Sequence, residues 1–207
     1  LLKWFRDQWA DDLVEQARRT GAGAYDLILE SMHDGPTPVI VLPYFTPSGT
    51  PYFDTQTGGA ILNLRLSTRR GEVLRALIEG VTLEMRLNLS ILDEAGIGIH
   101  ELRTIGGGAR NAKMLQLKAD VLDRPITPAE VTEAGCYGAA MLARAAIDDA
   151  DVTDLARSWV RTRDPIPPNP DTAEHYRRQF EAYRRLQPAL AAYTAEVRQA
   201  TAPGSPS

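Results

Sequence analysis

Three consecutive glycines, Gly106, Gly107 and Gly108, stand between a short apolar segment and a helical pattern, and Asn111 follows three positions later. A glycine backbone carries no side chain, so a flat or bulky ligand can approach it closely. The unpaired N–H groups at the start of the next helix point at the same patch, where they can bind an anion. Residue types and spacing therefore predict a nucleotide site.

The residues alone leave the role of this glycine turn open. A phosphate-binding P-loop ends in Gly-Lys followed by Ser or Thr, and the residues after Gly108 are Ala, Arg and Asn, so that motif is absent. A dinucleotide fingerprint can be written as Gly106-x-Gly108-x-x-Asn111 with Glu130 for the ribose, although Asn111 stands where Gly or Ala is needed. The turn can also be purely structural, with Asn111 as a helix N-cap.

The hydrophobic pattern supplies the elements that would position the turn. A strand precedes the glycines, and apolar residues at helical spacing follow them as far as Leu122. A long helix over about 70–95, capped by Ser67 or Thr68, is apolar on several faces and is predicted to be buried and central. Strands are predicted at 39–42, 60–64 and 124–127. A helix over about 134–146 carries small residues that favour close packing: Gly135, Gly138, Ala139 and Ala140.

The two ends of the chain are predicted to be helical. The N-terminal segment, about 1–33, contains one helix that Gly21 ends and a second, shorter one. The loop over 45–57 is of a kind that often edges a site. A proline-rich segment leads to a C-terminal helix at about 171–197, with a break at Pro188. Because the sequence starts within an amphipathic pattern and with Leu1, we expect it to be part of a longer protein.

Composition limits the classes of partner. The 207 residues carry a net charge of −4, so no general attraction to nucleic acid is expected. No apolar run approaches the roughly 18 residues of a membrane span, and no signal peptide is evident. The single cysteine, Cys136, excludes an internal disulfide, and the histidines are too far apart for a local metal motif. We expect a cytoplasmic protein without nucleic-acid or membrane partners.

Five segments resemble, in order and spacing, the C-terminal half of the FGGY carbohydrate kinases, and most closely the xylulokinase-like members. The resemblance extends from about Val39 to the C-terminal helix. It implies an α/β fold of the actin-like ATPase or ribonuclease-H-like type, with a mixed sheet flanked by helices. Residues 1–207 would then be the nucleotide-binding domain of a two-domain sugar kinase, without its N-terminal sugar-binding domain. The segments are 59–64, 72–80, 106–111, 119–125 and 133–140.

The resemblance also implies ligands and site residues. Gly106, Gly107 and Gly108 would form the wall against which the adenosine of ATP or ADP lies, and Asn111 would reach the adenine. An asparagine offers both a donor and an acceptor to a base edge. ATP and Mg²⁺ are the implied cofactors, and a sugar or polyol of the xylulose type would bind through the absent domain. A homodimer is one of the states open to such a kinase.

No catalytic residue and no metal ligand is assigned within the 207 residues, because the family's base and phosphate loops lie in the other half. Asp54, Asp120 and Asp123 are therefore given solvated or structural roles. Asn63, where the family usually has glycine, and the unusual loop at 47–51 both weaken a specific sugar assignment.

Two other functions stay open at this point. One is a nucleotide-sensing or assembly module on the same actin-like fold, since a fold does not fix a function. The other is a dinucleotide-binding oxidoreductase. As the ATP-binding half of a kinase, the chain alone is expected to bind nucleotide weakly and to phosphorylate nothing, because phosphoryl transfer needs all groups positioned together.

Overall fold

The computed structural model describes residues 1–131 and 133–201. The elements follow in the order α1 (Leu2–Trp9), α2 (Asp11–Thr20), α3 (Ala24–Glu30), β1 (Ile40–Leu42), β2 (Ala60–Leu62), α4 (Arg70–Glu94), β3 (Leu102–Thr104), a 3-10 helix (Gly107–Ala109), α5 (Ala112–Leu122), β4 (Ile126–Pro128), α6 (Ala134–Asp148), α7 (Val152–Trp159), α8 (Pro170–Tyr183) and α9 (Leu186–Thr201).

The strands form two small sheets. β1 and β2 are antiparallel, with Ile40 opposite Leu62, and β3 and β4 are parallel, with Leu102 opposite Ile126. On its other side β4 forms a single bridge to Ile166 from the segment before α8. The predicted α/β class is confirmed, and within the described residues the strands are divided between these two sheets.

Helix α4 is the centre of the main core, as predicted. Leu74, Leu77 and Leu83 are almost completely buried, and the helix contacts β1, α1, α5 and α8. A second, smaller cluster joins α5 to β4 through Leu115 and Ile126. The glycine turn is connected to both clusters, because α5 belongs to each of them.

Gly80 allows α4 to lie directly on β1. A Cβ atom at this position would be 2.4 Å from the carbonyl oxygen of Val41. Such a distance is far inside van der Waals contact, so only glycine permits this approach.

The start of α4 differs from the prediction of a Ser67 or Thr68 cap. The N-cap residue is Arg69, and its backbone N–H donates to the Glu72 carboxylate at 2.8 Å. The Thr68 hydroxyl instead accepts from the Arg65 N–H at 2.9 Å, so it stabilises the turn before the helix.

The predicted single N-terminal helix is two helices, because the chain leaves helical geometry at Ala10 (φ −134°, ψ 29°). Arg70 of α4 explains the break: its guanidinium donates to the Trp9 carbonyl at 3.0 Å and pairs with Asp12 at 2.6 Å. Gly21 ends α2 in the left-handed conformation, with φ 74°, as predicted.

The C-terminal region differs from its prediction in two places. The break between α8 and α9 lies at 184–185. Pro188 is in the first turn of α9, where the backbone N–H that proline lacks would have no partner within the helix. Helix α7 was not predicted. The sequence feature that indicates its start is Asp151. The Asp151 carboxylate caps the helix by accepting from the N–H groups of Thr153 and Asp154 at 2.7 and 3.1 Å.

Helix α6 lies at the surface, and the close packing predicted for its small residues is not found within the described ranges. A Cβ atom at Gly135 or Gly138 would meet no atom within 4 Å. The helix contacts α7, where the Tyr137 hydroxyl donates to the Trp159 carbonyl at 3.0 Å. In the described part of the chain, no helix is both long and apolar enough to cross a membrane.

Candidate nucleotide site

The predicted succession of strand, glycine turn and helix is present. β3 ends at Thr104, and Gly106 has φ 80° and ψ −170°, a conformation that other residues rarely adopt. The turn continues as a 3-10 helix, in which the Ala109 N–H donates to the Gly106 carbonyl at 3.0 Å. Arg163 donates to the Ala109 carbonyl, so the segment before α8 holds the turn in place.

Asn111 is the N-cap of α5. Its Oδ1 accepts from the Met114 N–H at 2.9 Å, so the structural role considered for this residue is realised. The cap uses one lone pair of the amide oxygen, and Nδ2 keeps two hydrogens that can be donated. The Nδ2 donor and the second lone pair of Oδ1 remain for a ligand, so the predicted contact of Asn111 with adenine stays a prediction.

The turn forms one wall of a cavity of about 470 Å³, within the range usual for small-molecule sites. This wall comes from the 3-10 helix and α5, and the other comes from α1 and α3. Of the four predicted site residues, Gly107, Gly108 and Asn111 line the cavity, and Gly106 sets the direction of the turn. The remaining lining residues are Leu2, Lys3, Tyr25, Asp26, Leu29, Arg110 and Met114.

Gly107 and Gly108 have different surroundings. A Cβ atom at Gly107 would meet nothing within 4 Å, so this backbone is open to the cavity. A Cβ atom at Gly108 would be 2.6 Å from Cε of Met114, and that side chain packs against the turn from α5. The bare surface available to a ligand is therefore centred on Gly107.

The cavity has basic groups around it. Lys3 and Arg110 are lining residues, and Nζ of Lys118 would be 3.7 Å from a Cβ atom at Gly108. Burial lowers the pKa of Lys118, because removal from water disfavours the charged form. Lys3 also pairs with Asp7 at 2.7 Å. Asp26 also lines the cavity, so the lining carries charged groups of both signs.

The wall from α1 and α3 was missed by the sequence analysis. Tyr25 belongs to no local sequence motif, and the glycine turn that lines the same cavity is distant from it along the chain. Arg6 fixes its ring: Nη1 donates to the Tyr25 hydroxyl at 3.0 Å, and the guanidinium carbon lies 5.3 Å from the ring centroid. Only the exposed aromatic on an amphipathic helix could have suggested this surface.

The three conspicuous aspartates have structural contacts and do not line the cavity. Asp120 is buried and accepts from Gln116 Nε2 at 2.8 Å and from the Asn169 N–H at 2.7 Å. Asp123 ends α5 in the left-handed conformation. Asp54 accepts from the hydroxyl and N–H of Thr57, from another loop N–H and from Gln187; these hydrogen bonds lower its pKa to about 2.

No three His, Cys, Asp or Glu side chains within residues 1–131 and 133–201 come together in a way that could hold a metal ion. The implied Mg²⁺ therefore remains an expectation of the resemblance.

Comparison with known proteins assigns the family. The sequence pattern of the C-terminal domain of the FGGY family of carbohydrate kinases matches residues 1–147. The chain belongs to this family. The FGGY match starts before Val39, where the resemblance begins, and so includes α1 and α3, which contribute the second wall of the cavity. Membership in a kinase family leaves the dinucleotide-binding oxidoreductase without support.

Three relatives illustrate the range of the family. A gluconokinase of Bacillus licheniformis is 26% identical over 194 residues, which are 92% of this chain and 38% of that protein. The crystal structure of xylulose kinase from Rhodospirillum rubrum has a TM-score of 0.74 at 28% identity and is matched over 94% of this chain and 38% of its own. The structure of Plasmodium falciparum glycerol kinase with ADP has a TM-score of 0.68 at 21% identity, over 91% of this chain and 36% of its own, and shows the fold alone.

These likenesses confirm the predicted actin-like, ribonuclease-H-like fold of the FGGY kinases. The chain spans less than two fifths of the length of each of these relatives.

Proposed function

We propose that this chain is the ATP-binding part of a carbohydrate kinase that transfers the γ-phosphate of ATP to a hydroxyl of a sugar or polyol. The observation that carries the proposal is the cavity with Gly107 and Asn111 on its wall. Two of the relatives described above are named for gluconate and xylulose, which supports an acceptor of the sugar or polyol class. Within that class we favour a xylulose-like acceptor, because the family-like segments most resemble xylulokinase-like members.

The residues of the cavity fit the base and ribose of a nucleotide. The open backbone at Gly107 offers a flat wall to adenosine, and Nδ2 of Asn111 can donate to a ring nitrogen of adenine. ADP carries the same adenosine as ATP and is therefore a suitable probe of this part of the site. When bound, MgATP supplies the phosphoryl group, and this chain's residues hold and orient the adenosine end of it.

The remaining parts of the reaction are proposals that depend on residues outside this chain. We infer that the sugar and the general base are contributed by an N-terminal domain, and that domain closure brings them to the nucleotide. A cytoplasmic location is part of the same proposal, and a homodimer is one of the states open to such a kinase.

Titration calorimetry with ADP tests the proposal. The unmodified chain should bind ADP, and Gly107→Val should weaken binding by about 10-fold or more, which corresponds to about 1.4 kcal/mol. The valine side chain would enter the cavity, while the fold tolerates it because a Cβ atom there meets no neighbour. Gly58→Val is the matched control, since Gly58 also has no atom within 4 Å of a Cβ position and is not a lining residue.

Two results would contradict the proposed site. One is the absence of heat on titration of the unmodified chain with ADP. The other is equal ADP affinity in the Gly107→Val variant, with thermal unfolding showing that both proteins are folded.

A further inference from the structure

One aromatic side chain, Tyr25 of α3, lines the cavity together with Gly107 and Gly108 of the glycine turn. We propose that Tyr25 is a base-stacking residue of the cavity and that Arg6 is its positioning residue. This inference rests on the proposed function, since it assigns a residue to the nucleotide that the cavity would bind. It concerns α1 and α3, which no motif in the sequence connects with a ligand.

The lining of the cavity explains why Tyr25 is singled out. Among the described residues that line it, Tyr25 is the aromatic one, and the rest are aliphatic, charged, amide or glycine. A purine has two faces, and the open backbone at Gly107 can cover one of them. The second face is best covered by a flat, polarisable group, and base–aromatic stacking is worth about 10-fold or more in affinity.

The exposure of Tyr25 supports a ligand contact. The residue is 38% exposed, although the same helix buries Ile28 and Leu29 in the core. A large ring that only anchored α3 would be expected among those core residues. Instead, the residue is partly exposed and lines the cavity, where a base can contact it.

Arg6 holds the ring before any ligand binds. It contacts Tyr25 twice, by the hydrogen bond to the hydroxyl at 3.0 Å and by the guanidinium group at 5.3 Å from the ring centroid. Arg6 is itself held by Asp7 at 2.6 Å. A ring that is already fixed loses little conformational entropy on binding, so the contact contributes more to affinity.

The experiment compares Tyr25→Leu with Tyr25→Phe in calorimetric titrations with ADP. Tyr25→Leu should weaken ADP binding by about 10-fold, because leucine removes the π-face. Tyr25→Phe keeps the ring and its contact with the Arg6 guanidinium and loses only the hydroxyl hydrogen bond, so ADP affinity should stay within about 3-fold of the unmodified chain, a factor that corresponds to less than 0.7 kcal/mol. Thermal unfolding should be nearly unchanged in both, since the side chain is partly exposed.

A spectroscopic measurement gives a second readout on the unmodified chain. Ring protons of Tyr25 should show nuclear Overhauser effects to H2 or H8 of ADP, and Tyr25→Leu should abolish them. The inference is overturned if these effects are absent while ADP binds, if Tyr25→Leu leaves affinity within about 3-fold, or if Leu and Phe weaken it equally. If the unmodified chain does not bind ADP, the proposed function itself fails.

Discussion

Asn111 has two polar atoms, and the fold uses one of them. Its oxygen caps α5 by accepting from Met114 at 2.9 Å, and the residue also lines the cavity. A serine at this position can make the same cap but has no amide donor. Stability and ligand binding can therefore be separated at this one residue.

We expect Asn111→Ala to lower the free energy of unfolding by about 1 kcal/mol, because one N–H of α5 loses its acceptor. Asn111→Ser should keep the stability, and both variants should weaken ADP binding. Urea denaturation and calorimetric titration measure the two effects. Unchanged ADP affinity in both variants would show that Nδ2 is not a ligand donor.

At the scale of elements, a buried polar cluster joins α4 to α8. Arg75 Nε donates to Glu79 Oε1 at 2.8 Å, and the Tyr176 hydroxyl accepts from Arg75 and donates to Glu79, each at 2.8 Å. Burial raises the pKa of Glu79, while Arg75 and Tyr176 stabilise its charged form. The cluster fixes how α8 lies on the central helix α4.

We expect Tyr176→Phe to destabilise the protein by about 1–3 kcal/mol, because the change leaves two buried charged groups each short of a hydrogen bond. The control is Tyr193→Phe on α9, where the side chain is 63% exposed and little change should follow. Chemical denaturation monitored by circular dichroism compares them. Equal stability of the two variants would mean that the cluster does not hold α8 in place.

At the scale of the whole molecule, the loop between β1 and β2 is attached to the C-terminal helix by Asp54. Its carboxylate accepts from Gln56 and Thr57 within the loop and from Gln187 Nε2 of α9 at 3.1 Å. These hydrogen bonds lower the pKa of Asp54 from its ordinary 3.8 to about 2. The ionised Asp54 carboxylate therefore stabilises the folded chain fully above about pH 4, and this stabilisation is lost as the pH falls towards 2.

We therefore expect Asp54→Asn to be less stable than the unmodified chain at pH 7, with a difference that shrinks as the pH falls. Neutral asparagine cannot supply the charge-assisted bonds, and at low pH the protonated aspartate loses them as well. Urea denaturation at several pH values between 7 and 3 measures the difference. If the difference in free energy of unfolding stays constant over this interval, Asp54 does not contribute to the loss of stability in acid.

The helices and strands that local signals determine could be predicted from the sequence. Helical spacing of apolar residues located α4, and three glycines before Asn111 located the turn and the start of α5. Such signals act over a few residues, through backbone conformation and the burial of one face. The resemblance of several spaced segments also placed the chain in its family, which the domain match confirms.

Tertiary structure decided what depends on residues that are distant along the chain. Arg70 of α4 takes the carbonyl at the end of α1 and divides the first helix, and no local pattern encodes that contact. Tyr25 lines the cavity only because the folded chain brings α1 and α3 to the same cavity as the glycine turn. The sequence by itself determined the glycine turn and its cap, and only the folded chain decided what faces them, because long-range packing has no signature within a short window of residues.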